Sequence, residues 1–491
     1  MSTQRERVSS GIRGLDEILD GGFPAGRVYL VHGDAGTGKT TLGLQFLMAG
    51  AAAGKRCLGI TLLQTLAELE EIVASHGWTL DGIELTELPE EVRDAATQGQ
   101  TVFAPADVEL TEVTDAIRAA VEQHRPDCLF IDSLSELGVL VDTGYQLRRQ
   151  LIQIKRMLDE TGCTTILSAG PAGDLDTATL ETLVHGVIGL EMSAPSFGRP
   201  RRRVLVSKVR GMSFQVGYHD AAIRTGGLEV YPRIRSGIAR ANGAVSRIES
   251  GVAEIDALLR GGLDTGTTCV ISGTTGAGKS TLATLYAYSA AKRGMKSAIF
   301  CFDERPETFV RRAKGLGMPV DSYLDDGTIV LSQISVGAVS PGQFATMIRD
   351  AVETQNVGIV VIDSLSGYLQ SMPGEQALVT QLHELLSYLS SLRVLTLMVV
   401  ATHGLFGESE SPIDVSYIAD TVIVLRHFEA RGEVRRCIAV MKKRFGDHER
   451  TIREVLLGGD GIRVGDPLTS FSGVLTGLPR YEGEERRLMG S

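Results

Sequence analysis

Short apolar runs alternate along this chain with longer segments in which Ala and Leu recur at helical spacing. Residues 28–32 predict a strand, and residues 40–53 a helix rich in Ala and Leu. Residues 57–62 predict a second strand, followed by a helix around 67–76; residues 128–131 and 164–168 predict further strands. Apolar runs this short, each separated by helix, predict a parallel sheet covered on both faces. Near the end of each half, residues 203–209 and 436–441 read as strands of a terminal hairpin. The longest apolar stretches, such as 394–401, fall far short of the roughly 20 residues that cross a bilayer. The first ten residues are polar and lack the apolar centre of a secretory signal, so a cytoplasmic location is expected.

The pattern is written twice. Arg7-Val8-Ser9-Ser10-Gly11-Ile12 matches Arg247-Ile248-Glu249-Ser250-Gly251-Val252, and Gly21-Gly22 matches Gly261-Gly262, each at an offset of 240 residues. The offset persists at Lys39 and Lys279; later landmarks drift, with Asp132 pairing Asp363 and Lys208 pairing Lys442. A repeat this long signals duplicated domains rather than a solenoid, whose units run to about 20–50 residues. The expected division is a first domain at 1–240, a second at 241–475 and a tail at 476–491, with the join near 234–244.

Composition narrows the function classes. With 22% charged and 43% hydrophobic residues in 491, the chain has the make-up of a folded protein of several domains. It carries 49 basic against 60 acidic residues, a net charge of -11, and 5% aromatics. Proteins that live on nucleic acid usually carry a basic excess and stacking rings, so nucleic acid is disfavoured as a partner. The arginines at 199, 201, 202 and 203 form a local basic cluster, read as a solvated turn. The acidic stretch 84–94 reads as a surface loop or helix face. The six cysteines have no metal-ligand spacing and read as reduced core residues.

Two segments carry chemistry. Gly33-Asp34-Ala35-Gly36-Thr37-Gly38-Lys39-Thr40 and Gly273-Thr274-Thr275-Gly276-Ala277-Gly278-Lys279-Ser280 both fit G-x-x-x-x-G-K-[ST], and each follows a strand and opens a helix that continues with Thr41 or Thr281. Glycines let backbone N–H groups turn inward round phosphate oxygens, with help from the positive end of the helix. Lys39 and Lys279 are expected to reach the outer phosphates of ATP, and Thr40 and Ser280 to ligate Mg2+. Asp132 and Asp363 end apolar strands beside these loops, where they can orient the metal directly or through water.

These residues resemble the KaiC family of RecA-like ATPases across nearly the whole chain. The resemblance rests on Gly14-Leu15-Asp16 and Gly21-Gly22 ahead of the first loop, the duplicated loop itself, Lys208-Val209-Arg210-Gly211, Asp420-Thr421 and Arg431-Gly432-Glu433. It implies an α/β fold of two tandem RecA-like P-loop domains, each a mostly parallel sheet flanked by helices. It implies a homo-hexamer with ATP at the subunit interfaces, onto which Lys208 and Arg210, and likewise Lys442 and Arg444, would project from the neighbouring subunit. A partner of the KaiB-like kind, or another signalling protein, is implied as well.

Family members place one or two carboxylates after the strand that follows the cradle helix. The second half supplies Asp303 and Glu304, whereas the first half has Leu63 and Gln64 in that register. Gln64 can hold a water but cannot accept its proton, and such assistance is worth about 10²- to 10⁴-fold. The first half is therefore expected to bind ATP with slow or no hydrolysis, and the second to carry turnover. The resemblance also implies autophosphorylation in residues 413–421, where Ser416 falls on the acceptor Ser and Tyr417 replaces the acceptor Thr. A phenol oxygen lies further from the backbone, and in-line transfer tolerates little misplacement, so Ser416 is the expected acceptor and Tyr417 a poor one. His403, after the strand 395–401, stands where RecA-like ATPases often sense phosphate. Two other readings stay open: a nucleic-acid-stimulated RecA/DnaB-like motor, and an ATP-gated scaffold without kinase activity.

Overall fold

The computed structural model describes residues 6–62, 64–87, 106–134, 144–171, 175–194, 200–234, 245–335, 337–371, 378–402, 418–430, 432–476 and 480–481. Contacts divide the chain into two compact units, residues 1–233 and 234–491. Each is built on one nine-stranded sheet.

In the first unit the strands are β1 (Val28–Gly33), β2 (Cys57–Thr61), β3 (Ile83–Glu87), β4 (Cys128–Asp132), β5 (Thr164–Ala169), β6 (Gly186–Ser193), β7 (Arg201–Val209), β8 (Tyr218–Arg224) and β9 (Gly227–Tyr231). Their spatial order is β9-β8-β7-β6-β1-β5-β4-β2-β3. The second unit has β10 (Thr268–Gly273), β11 (Ser297–Cys301), β12 (Ile329–Gln333), β13 (Ile359–Asp363), β14 (Leu395–Ala401), β15 (Thr421–Ala430), β16 (Glu433–Lys443), β17 (Arg453–Gly458) and β18 (Gly461–Pro467). Their order, β12-β11-β13-β14-β10-β15-β16-β17-β18, is the same one run from the other edge. Six strands of each sheet are parallel and the last three antiparallel. Each unit is thus a RecA-like α/β domain.

Why the inner strands are apolar throughout is visible in β1. Val28 and Leu30 join the core on one face of the sheet, Tyr29 and Val31 the core on the other. In β10, Cys269 and Ile271 divide from Val270 in the same way. A strand buried on both sides needs apolar residues at every position. The expected terminal hairpin is a three-stranded antiparallel extension in both units. Exposed or polar residues interrupt its outer strands, as at Tyr218 beside buried His219 and at Glu229, so they lack a continuous apolar run. The basic cluster also differs from its reading, because Arg201, Arg202 and Arg203 lie inside β7, not in a turn. Likewise residues 84–87 of the acidic stretch belong to β3, the edge strand paired to β2.

The repeat extends to single hydrogen bonds. Ahead of each cradle a two-residue ribbon pairs Arg7–Val8 with Phe23–Pro24, or Arg247–Ile248 with Leu263–Asp264. The backbone N–H of Ser10 donates to Asp16 Oδ1 at 2.7 Å, and that of Ser250 to Asp256 Oδ1 at 2.7 Å. Both β7 and β16 also carry a β-bulge at the same point. Val187 faces Lys208 while Ile188 faces Val206, leaving Ser207 as the extra residue; Val422 faces Lys442 while Ile423 faces Val440, leaving Met441.

Candidate nucleotide sites

Each candidate site forms at the carboxyl ends of the central strands, where α/β sheets commonly hold ligands. The first loop runs from the end of β1 into the helix Lys39–Ala52, the second from the end of β10 into Lys279–Ala291. Both helices start on the lysines, the first one residue earlier than the predicted 40–53. Both are capped by a glycine with φ of 107°, Gly38 and Gly278. A Cβ on either would lie 2.9 Å from Ile223 Cδ1 or Leu457 Cδ1, so conformation and space both call for glycine.

Lys39 Nζ donates to the carbonyls of Gly33 and Asp34 at 2.6 and 3.0 Å, which lays its amine across the loop. Lys279 Nζ donates to the Thr274 carbonyl at 2.8 Å and is buried. Burial lowers the pKa of both lysines, opposed by Asp132 and Asp34 in the first unit and by Asp363 in the second. Gly36, Thr275 and Gly276 stand exposed on the rim, while Thr37 and Ala277 are buried beneath it, as are Thr41 and Thr281 in the first helical turn.

The hydroxyl–aspartate pairs do come together. Thr40 Oγ1 donates to Asp132 Oδ2 at 2.5 Å, and the Ser168 hydroxyl donates to the other oxygen. The Ser280 side chain hydrogen-bonds Asp363. Burial raises the Asp363 pKa, against the opposing pull of Ser280 and Arg312. A hydroxyl beside a carboxylate at the loop mouth is an oxygen-only donor set that suits a hard cation, so these residues fit magnesium. Among the described residues no group of three or more His, Cys, Asp or Glu could hold an ion unaided. Nucleotide and water would therefore have to complete its shell. In both units the peptide bond following this aspartate is cis.

The carboxylates of the second unit are held differently from one another. Asp303 Oδ2 accepts from the Ser364 hydroxyl at 2.8 Å, and that hydroxyl accepts from the Gly367 N–H at 3.0 Å. Glu304 forms a bidentate ion pair with Arg312. In the first unit Gln64 has its Oε1 buried without a hydrogen-bond partner among the described residues. Leu63 lies outside those residues, as do His403, Ser416 and Tyr417.

Lys208, Arg210, Lys442 and Arg444 are all tied within their own unit. Lys208 Nζ donates to the Glu181 carbonyl at 2.6 Å, and Arg210 Nη2 to that of Thr182 at 2.8 Å. Lys442 Nζ donates to the Ala419 carbonyl at 2.7 Å, and Arg444 Nη1 to Asp420 Oδ1 at 3.0 Å.

Motif reading missed two further contacts on the loops. Arg202 donates through Nε and Nη2 to the Gly36 carbonyl at 3.2 and 3.1 Å, and Arg436 Nε to the Gly276 carbonyl at 3.2 Å. The signal was present, since each arginine precedes Lys208 or Lys442 by six residues. In the second loop Thr274 Oγ1 also meets His427 Nδ1 at 3.0 Å; the first unit has Met192 in that register, opposite Arg202. Burial, Arg436 and Lys279 together lower the His427 pKa.

The chain is similar to known proteins along nearly its whole length. The chain is 27% identical over 493 residues to the circadian clock protein KaiC3 of Synechocystis sp., covering 99% of this chain and 97% of that one. It is 24% identical over 490 residues to the circadian clock oscillator protein KaiC of Parasynechococcus marenigrum, covering 98% and 95%. To KaiC of Synechococcus elongatus it is 25% identical over 484 residues, covering 96% and 92%. The sequence profile of the KaiC ATPases matches residues 8–235 and again 248–469, one match for each cradle. With both cradles and most of the chain inside those matches, the protein belongs to the KaiC ATPase family.

Proposed function

We propose that this chain is a magnesium-dependent ATPase with division of labour between its halves, residues 1–240 holding ATP for assembly and residues 241–475 turning it over. The observation that carries the reading is the contrast at one strand end. In sequence, Asp303 and Glu304 follow the strand after the second cradle helix, and Leu63 and Gln64 hold the matching positions of the first half.

The roles follow from the side chains. Backbone N–H groups of residues 33–40 and 273–280 bind phosphate oxygens, and Lys39 and Lys279 add positive charge. Thr40 with Asp132, and Ser280 with Asp363, are the residues that would hold magnesium, which when bound neutralises charge on the outer phosphates. Asp303 and Glu304 supply the oxygens that orient an attacking hydroxyl and take its proton. Lys208, Arg210 and Lys442 would leave their internal carbonyl partners, and Arg444 the Asp420 carboxylate, for a neighbouring subunit's nucleotide. A cation delivered that way stabilises charge as it develops on the transferred group. On this reading the assembly is a homo-hexamer with ATP between subunits. Ser416 is the phosphate acceptor, and Tyr417 a poor one. The relatives' names point to a timing or signalling role, with a KaiB-like or other signalling protein as partner at the ring or at the tail, residues 476–491.

One paired measurement tests this. Size with and without magnesium ATP should change from single chain to hexamer, and intact mass of the same sample should gain one phosphate that Ser416→Ala removes. A chain that stays single yet hydrolyses ATP at full rate overturns the assembly. A hexamer without added mass leaves the ATP-gated scaffold as the correct description.

A further inference from the structure

We propose that Arg312 is a positioning residue that withholds Glu304, so that the second unit turns over only in the fraction of molecules where this pair has parted. The inference rests on the reading of the second unit as the hydrolytic one.

The geometry is specific. Arg312 Nε lies 3.0 Å from Glu304 Oε1 and Nη2 lies 2.8 Å from Oε2, so both carboxylate oxygens are engaged by one fork. Bidentate, charge-assisted bonds of this kind are about twice as strong as neutral ones. The side chains are only 23% and 21% exposed, so solvent screens the pair weakly. The guanidinium also lies over the Phe309 ring, 5.2 Å from its centroid. Asp303, one residue earlier, is exposed and accepts a single hydroxyl bond. A carboxylate whose two oxygens are both committed to a cation cannot line up a hydroxyl and take its proton until it lets go.

The pair is not a requirement of the local fold. The equivalent helix of the first unit, Leu66–His76, carries Ile72 at the position of Arg312 and follows Gln64 at the position of Glu304. It is anchored by buried Leu69 and Val73, as its counterpart Pro306–Gly315 is by Phe309 and Ala313. Base and clamp are thus present together in one unit and lost together in the other. The clamp is also incomplete. Arg312 Nη1 is buried without a hydrogen-bond partner among the described residues, so the fork keeps unspent donors when it holds Glu304. If the rate follows the fraction of Glu304 that is disengaged, removing the clamp raises that fraction toward one.

The test uses the full chain and steady-state phosphate release. Arg312→Met keeps the side-chain length without the charge, and should raise kcat about three- to tenfold with little change in KM for magnesium ATP. Arg312→Lys, a point charge without the fork, should give a smaller rise. Glu304→Gln/Arg312→Met should be no faster than Glu304→Gln, because the gain acts through the freed carboxylate. A fall in kcat for Arg312→Met matching that of Glu304→Gln would overturn the proposal and make Arg312 a support for the base. Should Arg312→Met melt out, Arg312→Lys decides alone, a rise supporting the clamp and an equal or lower rate refuting it. Lys279→Ala separates the two levels. If it leaves phosphate release intact, the second unit is not the hydrolytic one and the underlying reading fails, whatever Arg312 does.

Discussion

The two halves share a strand order, a cradle, a leader ribbon and a bulge, yet differ in a handful of residues close to where ATP would react. Beside the second loop stand Asp303, Glu304, Arg312 and His427; the same positions of the first hold Leu63, Gln64, Ile72 and Met192. These four charged or titratable side chains have neutral, non-titrating counterparts in the twin. On the proposed reading, binding machinery is present twice and proton-handling machinery once. Holding phosphate uses backbone N–H groups and a lysine, which the fold supplies wherever the loop forms, whereas moving a proton needs particular side chains that can be lost without harm to the fold.

The largest effect expected is on chemistry. Asp303→Asn/Glu304→Gln should lower phosphate release about 10²- to 10⁴-fold while ATP binding persists. The converse graft, Leu63→Asp/Gln64→Glu in a Lys279→Ala background, should confer measurable turnover on the first unit. An ATPase unmoved by the double substitution would break the comparison.

Next comes a packing difference. Gly43 of the first cradle helix lies against Phe130, and a Cβ there would collide with the ring; the second unit has Ala283 and Val361 at these places. Gly43→Ala should destabilise the first unit by about 1–3 kcal/mol, and Phe130→Val added to it should recover part of that loss. Hydrogen exchange in β4 would follow both.

A smaller change is expected from Ser364→Ala, which removes the hydroxyl that orients Asp303. It should reduce kcat about fivefold, the worth of one ordinary hydrogen bond, with KM unchanged. Ser133→Ala, where Leu63 replaces the carboxylate, should leave kcat alone.

The smallest is a pH effect. Burial holds the folded pKa of His427 below the ordinary imidazole value of about 6.5, so the residue binds fewer protons folded than unfolded in the window between the two. Stability therefore falls as pH drops through 6.5 toward the folded value and is regained above it. His427→Met, which copies the first unit, should flatten that limb in thermal melts taken from about pH 5 to 8.

Much of this was legible in the residues themselves. The alternation of apolar strands and helices, the 240-residue offset and the two G-x-x-x-x-G-K segments together specify the duplicated fold, because buried parallel strands and phosphate loops both leave continuous local signatures. The contacts of Arg202 and Arg436 left only a fainter mark, a shared six-residue spacing ahead of Lys208 and Lys442. An arginine in a half-exposed strand reads as solvated surface until the sheet order brings it over Gly36 or Gly276. The Arg312–Glu304 pair was hidden for another reason: its spacing crosses a strand-to-helix turn, so neither a helical nor a strand period applies from one residue to the other. The outer strands β8, β9, β17 and β18 were unreadable because one of their faces meets water.

The extra residue in β7 and in β16 bears on how such a protein can change. Ser207 and Met441 have nothing in common chemically, and both are exposed. What the two bulges share is a count, one more residue than the facing strand, and that count decides which side of the sheet Lys208 and Lys442 occupy. Point substitution there should pass almost unnoticed. Deleting the single codon would turn Lys208 or Lys442 toward the opposite side of its sheet with every other residue unchanged.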